Sequence, residues 1–170
     1  LGIEIQAGWQ IVSALRWDLN TTLSQNKIRN FNEYVDDWDN GGQIETHFSK
    51  TDIAFSPPVI ANSTIQFTPI KRLEMSLLSQ YVGKQYIDNS SSNVRKLDAY
   101  FVNNLKIAYS LKPRFMESLE LHLLINNLFN AEYETNAWVY SYYYDQERWE
   151  MDGYFPQAGI NFLVGLGLKF

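Results

Sequence analysis

The segment INFLVGLGLKF puts Ile160, Phe162, Val164, Leu166, Leu168 and Phe170 on one parity, against Asn161, Leu163, Gly165, Gly167 and Lys169 on the other. Side chains alternate across a β-strand, so this is a strand with one continuous apolar face and a second face of little bulk. The same period recurs upstream. LELHLLIN sets Leu119, Leu121, Leu123 and Ile125 against Glu120, His122, Leu124 and Asn126. YFVNNLKIAYS sets Phe101, Leu105, Ile107 and Tyr109 against Asn104, Lys106, Ala108 and Ser110, with Val102 and Asn103 breaking the pattern near one end. LEMSLLSQY, LRWDLNTTLSQ and GIEIQAGW alternate in the same way, and ANSTIQFT does so more weakly. The chain therefore reads as all-β, with about seven strands and no convincing helix between them.

The connections alternate as well. Those around Val12–Ser13, Pro69–Arg72 and Lys112–Ser118 are short and turn-like; the stretches 29–58, 89–98 and 129–156 are long and polar. Short turns on one side and long loops on the other mark an antiparallel up-and-down meander, the organisation of bacterial outer-membrane barrels. In that register the last strand runs down into the periplasm. Aromatic residues near strand ends (Trp9, Trp17, Phe67, Tyr81, Tyr109) suit an interfacial girdle. The rival reading is a self-standing all-β binding or structural domain whose apolar face forms a core or an oligomer interface. Glycines on the polar parity of the last strand count against that rival, because a face turned to water would want side chains.

Composition narrows the classes further. A formal charge of -5 over 170 residues argues against a nucleic-acid partner. The absence of cysteine removes disulfides, thiolate metal sites and thiol nucleophiles. Mean hydropathy is -0.30, a value that barrel strands also give because their two faces average out. Leu1 opens directly in strand-like sequence, so the expected N-terminus of an exported protein lies elsewhere. GxSxG, HExxH, P-loop and CxxC patterns are lacking, and with two histidines in unsuggestive settings the expectation is a non-enzyme that needs no cofactor.

The run NNLFNAEYETN (Asn126 to Asn136), a long aromatic loop, and DGYFPQAGINFLVGLGLKF together resemble the C-terminal end of TonB-dependent outer-membrane receptors. The Asn-Leu-Phe-Asn element at Asn127 to Asn130, followed by Tyr133, is similar to that family's mark before its last extracellular loop. YFPQAG at Tyr154 to Gly159 resembles receptors of Bacteroidetes-type bacteria. The resemblance is specific over the last ~45 residues and generic, as barrel pattern, elsewhere. It implies that residues 1–170 are a C-terminal segment of a 22-stranded transmembrane β-barrel, with the plug domain and earlier strands absent from this sequence. It further implies active transport of a scarce nutrient of the ferric siderophore, haem or cobalamin class. The implied partners are outer-membrane lipid, the inner-membrane TonB complex acting through the plug, the barrel-assembly machinery and the nutrient ligand. Phe170, on its alternating strand, resembles the signal read by that machinery.

Two loops carry candidate chemistry. AWVYSYYYDQERW holds Trp138, Tyr140, Tyr142, Tyr143, Tyr144 and Trp149 with Arg148, a set able to stack on a flat ligand and pair with an anionic one. The plainer reading is that these tyrosines continue a strand above the membrane. His47 lies with Asp36, Asp37, Asp39 and Glu45, oxygen-rich company for a hard cation, but the spacing fits no EF-hand and solvated charges are the simpler reading, so no metal site is expected. His122, alternating with lipid-facing leucines, should line the lumen, and Asn126 and Asn127 should satisfy backbone groups where their strand ends.

Overall fold

The computed structural model describes all residues from Leu1 to Phe170 and contains thirteen strands and no helix. Seven of them form one antiparallel sheet: β1 (Gly2–Val12), β2 (Leu15–Ser24), β5 (Val59–Ile70), β6 (Leu73–Val82), β9 (Tyr100–Leu111), β10 (Ser118–Asn126) and β13 (Asn161–Lys169), adjacent in that order. These are the seven segments whose alternation is visible in the sequence, paired as a meander through the three short turns.

Register aligns their apolar parities into rows. Trp9, Trp17, Ile65, Leu77, Leu105, Ile125 and Phe162 are successive cross-strand partners over the full width of the sheet. A second row joins Val12, Leu15, Phe67, Met75, Ile107, Leu123 and Val164. Nothing covers this face: Val164 is 80% exposed and Phe162 63%. Only 13 of 170 residues are buried, too few for the dry core that a two-layer soluble domain needs. Near the short turns lie Trp9, Trp17, Phe67 and Tyr109, and near the opposite end Tyr81 pairs with Phe101, which gives aromatic residues at both ends of the apolar band. The Trp17 indole N–H, which could not be left unpaired in an apolar medium, donates to Ser63 Oγ at 2.9 Å.

The opposite face is polar. Gln80 Nε2 donates to Asn62 Oδ1 at 3.2 Å, and Arg16 pairs with Asp18 along one strand. Gly8 makes room for that pair, since a Cβ there would collide with both side chains. Gly165 and Gly167 sit opposite His122 and Glu120, which places His122 on the polar face as expected of a lumen-lining residue.

The long connections are not irregular loops. The connection between β2 and β5 contains β3 (Lys27–Asp37) and β4 (Gln43–Asp52); the connection after β6 contains β7 (Gln85–Tyr86) and β8 (Lys96–Leu97); residues 129–156 contain β11 (Glu134–Tyr144) and β12 (Glu147–Pro156). Polarity on both faces conceals these strands from a search for apolar alternation.

An asparagine joint connects the last of these hairpins to the large sheet. Asn127, 3% exposed and at φ 50°, accepts from the Ala131 N–H and donates to the carbonyls of Ala131 and Ala158, while its own N–H donates to Asn104 Oδ1. Asn130, at φ 53°, accepts the Ile160 N–H, and Asn126 donates to Asn161 Oδ1. Asparagine tolerates the left-handed conformation and supplies the donors and acceptor together. The Asn127–Asn130 element thus closes the end of β10 and sets the start of β13.

Three outcomes follow for the complete protein. On the barrel expectation, Leu123→Arg, within an apolar row, should sharply reduce assembled barrel in heat-modified gel shifts, since a cation at mid-bilayer costs about 2–4 kcal/mol. Gly167→Ser should assemble normally, because a Cβ there meets Glu120 Cβ only at an ordinary 3.5 Å. Asn127→Ala should lower thermal stability by about 1–3 kcal/mol for each buried partner left unpaired, measured on the detergent-solubilised protein.

Candidate functional site

Strands β12, β11, β3 and β4 form a second sheet in that order. Its two hairpins spring from the first and third long connections and meet through a short parallel pairing, Tyr142 with Asp36 and Tyr143 with Asp37. The hairpin tips interlock. Asp145 and Gln146, the two left-handed residues of the β11–β12 turn, direct their N–H groups to the two carboxylate oxygens of Asp39, each at 3.0 Å. Asp39 is in turn held by its N–H donating to Asp37 Oδ1.

One face of this sheet is packed and ionic. Ala137 and Val139 lie against Ile87 and Leu97 from the β7–β8 segment, the small buried cluster of the molecule. Beside it Arg148 grips Glu33 with two bonds of 2.9 and 2.8 Å, while its Nε donates to Glu150 Oε1 at 3.0 Å and its Nη2 to Ser141 Oγ at 3.1 Å. Arg95, 6% exposed, sets Nη1 at 2.7 Å from Asp88, 3.2 Å from Glu33 and 3.6 Å from Glu150. Two guanidiniums and three carboxylates drawn from all three long connections therefore form one clasp. The Arg148 hydrogen bonds, aided by both arginine charges, hold the Glu33 carboxyl below its ordinary range, against the opposing pull of burial. The same bonds with Glu33 push the Arg148 guanidinium up.

The other face is aromatic. Trp138, Tyr140, Tyr142 and Tyr144 share a parity on β11, and Tyr142 pairs with Trp149 on β12. Trp38 stacks on Tyr142 with ring centroids 4.1 Å apart, and Tyr140 lies 5.9 Å from Tyr142. Asp36 borders the stack, accepting from the Tyr140 hydroxyl at 3.0 Å and from Gln43 Nε2 at 3.0 Å. Those bonds, Gln43 first, keep the Asp36 carboxyl low, and the Asp36 bond raises the Tyr140 phenol.

Five of the aromatic-loop residues singled out in the sequence, Trp138, Tyr140, Tyr142, Tyr144 and Trp149, are thus brought together. Tyr143 and Arg148 point to the opposite face, where Arg148 is fully engaged as a clamp. Phe170 stands just beyond β13 and is 84% exposed. His47 Nδ1 lies 2.6 Å from Asn32 Oδ1, Glu45 is bonded by Asn32 and Tyr34, and no three metal-ligating side chains converge. Sequence reasoning missed Trp38, Asp36 as a partner of Tyr140, and the Glu33–Arg95 pairing. Alternation along FNEYVDDW was the available signal for β3, but the pairing partners lie about a hundred residues away.

The fold is a seven-stranded antiparallel meander whose connections on one side are tall and built from strands. No family model and no curated protein matches the sequence. Among solved structures, the siderophore receptor PiuA from Acinetobacter baumannii matches 99% of this chain and 21% of its own, at TM-score 0.73 and 15% identity. The ferric yersiniabactin uptake receptor FyuA from Yersinia pestis matches 97% of this chain and 22% of its own, at TM-score 0.56 and 16% identity. The ferric-catecholate import receptor Fiu from E. coli K12 matches 99% and 27% at TM-score 0.52 and 17% identity. The chain has the fold of a stretch of barrel wall in such receptors and spans 21% to 27% of their length.

Glu33 tests the clasp. Removing one partner of a part-buried ion pair leaves the other charges under-compensated, so Glu33→Gln should loosen the four-stranded sheet while the seven-stranded sheet stays intact, read by amide exchange of β11 against β10. Because folding lowers the Glu33 carboxyl, its contribution is present above the ordinary carboxylate range and is lost as pH falls through the depressed value. Exchange of β11 should therefore rise selectively in acid, and the Glu33→Gln protein should show a smaller rise.

Proposed function

We propose that this chain forms part of the barrel wall and outer vestibule of a TonB-dependent outer-membrane receptor, a non-enzymatic active transporter for a scarce nutrient of the ferric siderophore, haem or cobalamin class. The observation that carries this reading is the pair of unbroken apolar rows across seven strands with no protein layer against them. A patch of that extent is a lipid-facing surface, because a soluble monomer rarely exposes so much. The likeness in fold to siderophore receptors supports the same reading, as does the resemblance of the Asn127–Asn130 element and the final strand. On it, further strands of a longer chain close the sheet into a barrel of 22 strands, lipid covers the apolar rows, and the TonB complex acts on a plug domain outside these residues.

The second sheet then has a place. In a barrel the wall is concave toward its polar lumen, so the shortest bridge from the first to the third outer connection passes on the lumen side of the middle one. The clasped face accordingly meets β7–β8 of the middle connection, and the aromatic face looks over the pore. There it can contact the incoming nutrient.

Cysteine labelling on intact cells tests the topology, and this chain brings no competing thiol. In the complete receptor Asn40→Cys, at the tip of β3–β4, should react with an impermeant maleimide. Ser13→Cys, Lys71→Cys and Phe115→Cys, in the short turns, should react only after the cells are broken. The reverse pattern, or uniform labelling of a protein that stays soluble without detergent, would remove the receptor reading.

A further inference from the structure

Charge is divided between the two faces of the four-stranded sheet. Its strands carry four lysines and arginines, Lys27, Arg29, Lys50 and Arg148, and strand register puts all four on the clasped parity. The aromatic parity carries Asp36, Glu45 and Glu147 and no lysine or arginine. Arg148, the one cation in the aromatic loop, is thereby withdrawn from any ligand on that face and tied to Glu33 and Glu150. What remains is a stacked aromatic surface, with Trp38 57% and Tyr140 40% exposed, beside carboxylates.

We propose that this face selects a positively charged ligand, whose organic cation seats beside Asp36 and over the Trp38–Tyr142 stack. The proposal rests on the receptor reading and narrows its substrate class. The negative faces of aromatic rings attract cations, indole most strongly, and do so more when water is partly excluded. The Asp36 carboxylate adds a full charge at a fixed position, because Tyr140 and Gln43 each hold one of its oxygens. The same surface repels a polyanion: it offers no lysine or arginine to pair with, and desolvating three carboxylates against like charge is unfavourable. A ferric complex with a free ammonium on its ligand is accepted on these terms, whereas an anionic ferric tricatecholate is rejected by this face.

The test uses the complete receptor in detergent and isothermal titration with a matched pair of probes, benzyltrimethylammonium and benzylsulfonate. A ferric trihydroxamate with a free terminal ammonium is then compared with the same complex acetylated on that amine, and with a ferric tricatecholate. The cationic member of each pair should bind at least tenfold more tightly, and the preference should fall with rising salt. Asp36→Asn should erase the preference, and Tyr142→Leu should weaken the cation without changing the charge of the face. Normal labelling at Asn40→Cys in each background shows that the hairpins still form. Equal or tighter binding of the anionic probes, no binding of either cation, or a preference that survives Asp36→Asn overturns the proposal. Each of those results leaves the receptor reading standing, since that reading depends on the topology labelling instead.

Discussion

The structure depends on a register constraint: seven strands pair in chain order so that every apolar parity falls on the same side. A shift of one residue at any strand would turn its leucines and isoleucines onto the polar face. Each ladder also satisfies the backbone of its neighbours, the condition under which β-structure can sit in a medium without water. Within the sheet, only the outer edges of β1 and β13 lack partners, and on the proposed reading those are the edges along which the barrel continues. The paucity of buried residues follows from the same constraint, because a single-layer sheet has no second layer of protein to bury its faces.

The outer connections obey different rules. Their apolar cluster is small, so polar interactions hold them in place. Asn127 bonds the backbone at Ala131 and at Ala158 and the side chain of Asn104 at the point where the hairpin leaves the seven-stranded sheet. Asp39 caps a turn a hundred residues away, and Glu33 joins two arginines from different connections. Burying such charges is costly unless each is paired, and here the geometry supplies the partners. Arg95 Nε alone has no partner within the clasp.

Sequence legibility followed this division. The seven-stranded sheet was readable because one solvent-averse face imposes period two on each strand separately, so β13 could be recognised within the segment INFLVGLGLKF alone. The Asn127–Asn130 element was readable as a motif and as a strand terminator. The second sheet was not, since β3, β4, β11 and β12 carry polar residues on both faces and contain no comparable apolar row. Even where Tyr140, Tyr142 and Tyr144 suggested a strand, the sequence could not show that Arg148 lies across the sheet from them. That depends on a two-residue turn at Asp145–Gln146, which fixes Tyr143 opposite Arg148 and Tyr142 opposite Trp149. Nor could it show the parallel junction of β11 with β3, a contact between distant segments with no local signal.

The clasp and the aromatic face are two consequences of that one sheet. A platform of exposed tyrosines on a free hairpin would lose much of any stacking energy to the cost of ordering it. Here the ordering is already in place: Glu33 and Arg95 fix the hairpins from behind, and Asp39 locks their tips. The strand alternation that brings Arg148 to the clasp also removes its charge from the face in front. Rigidity and charge selectivity therefore arise together, and a substitution that freed Arg148 would alter both at once.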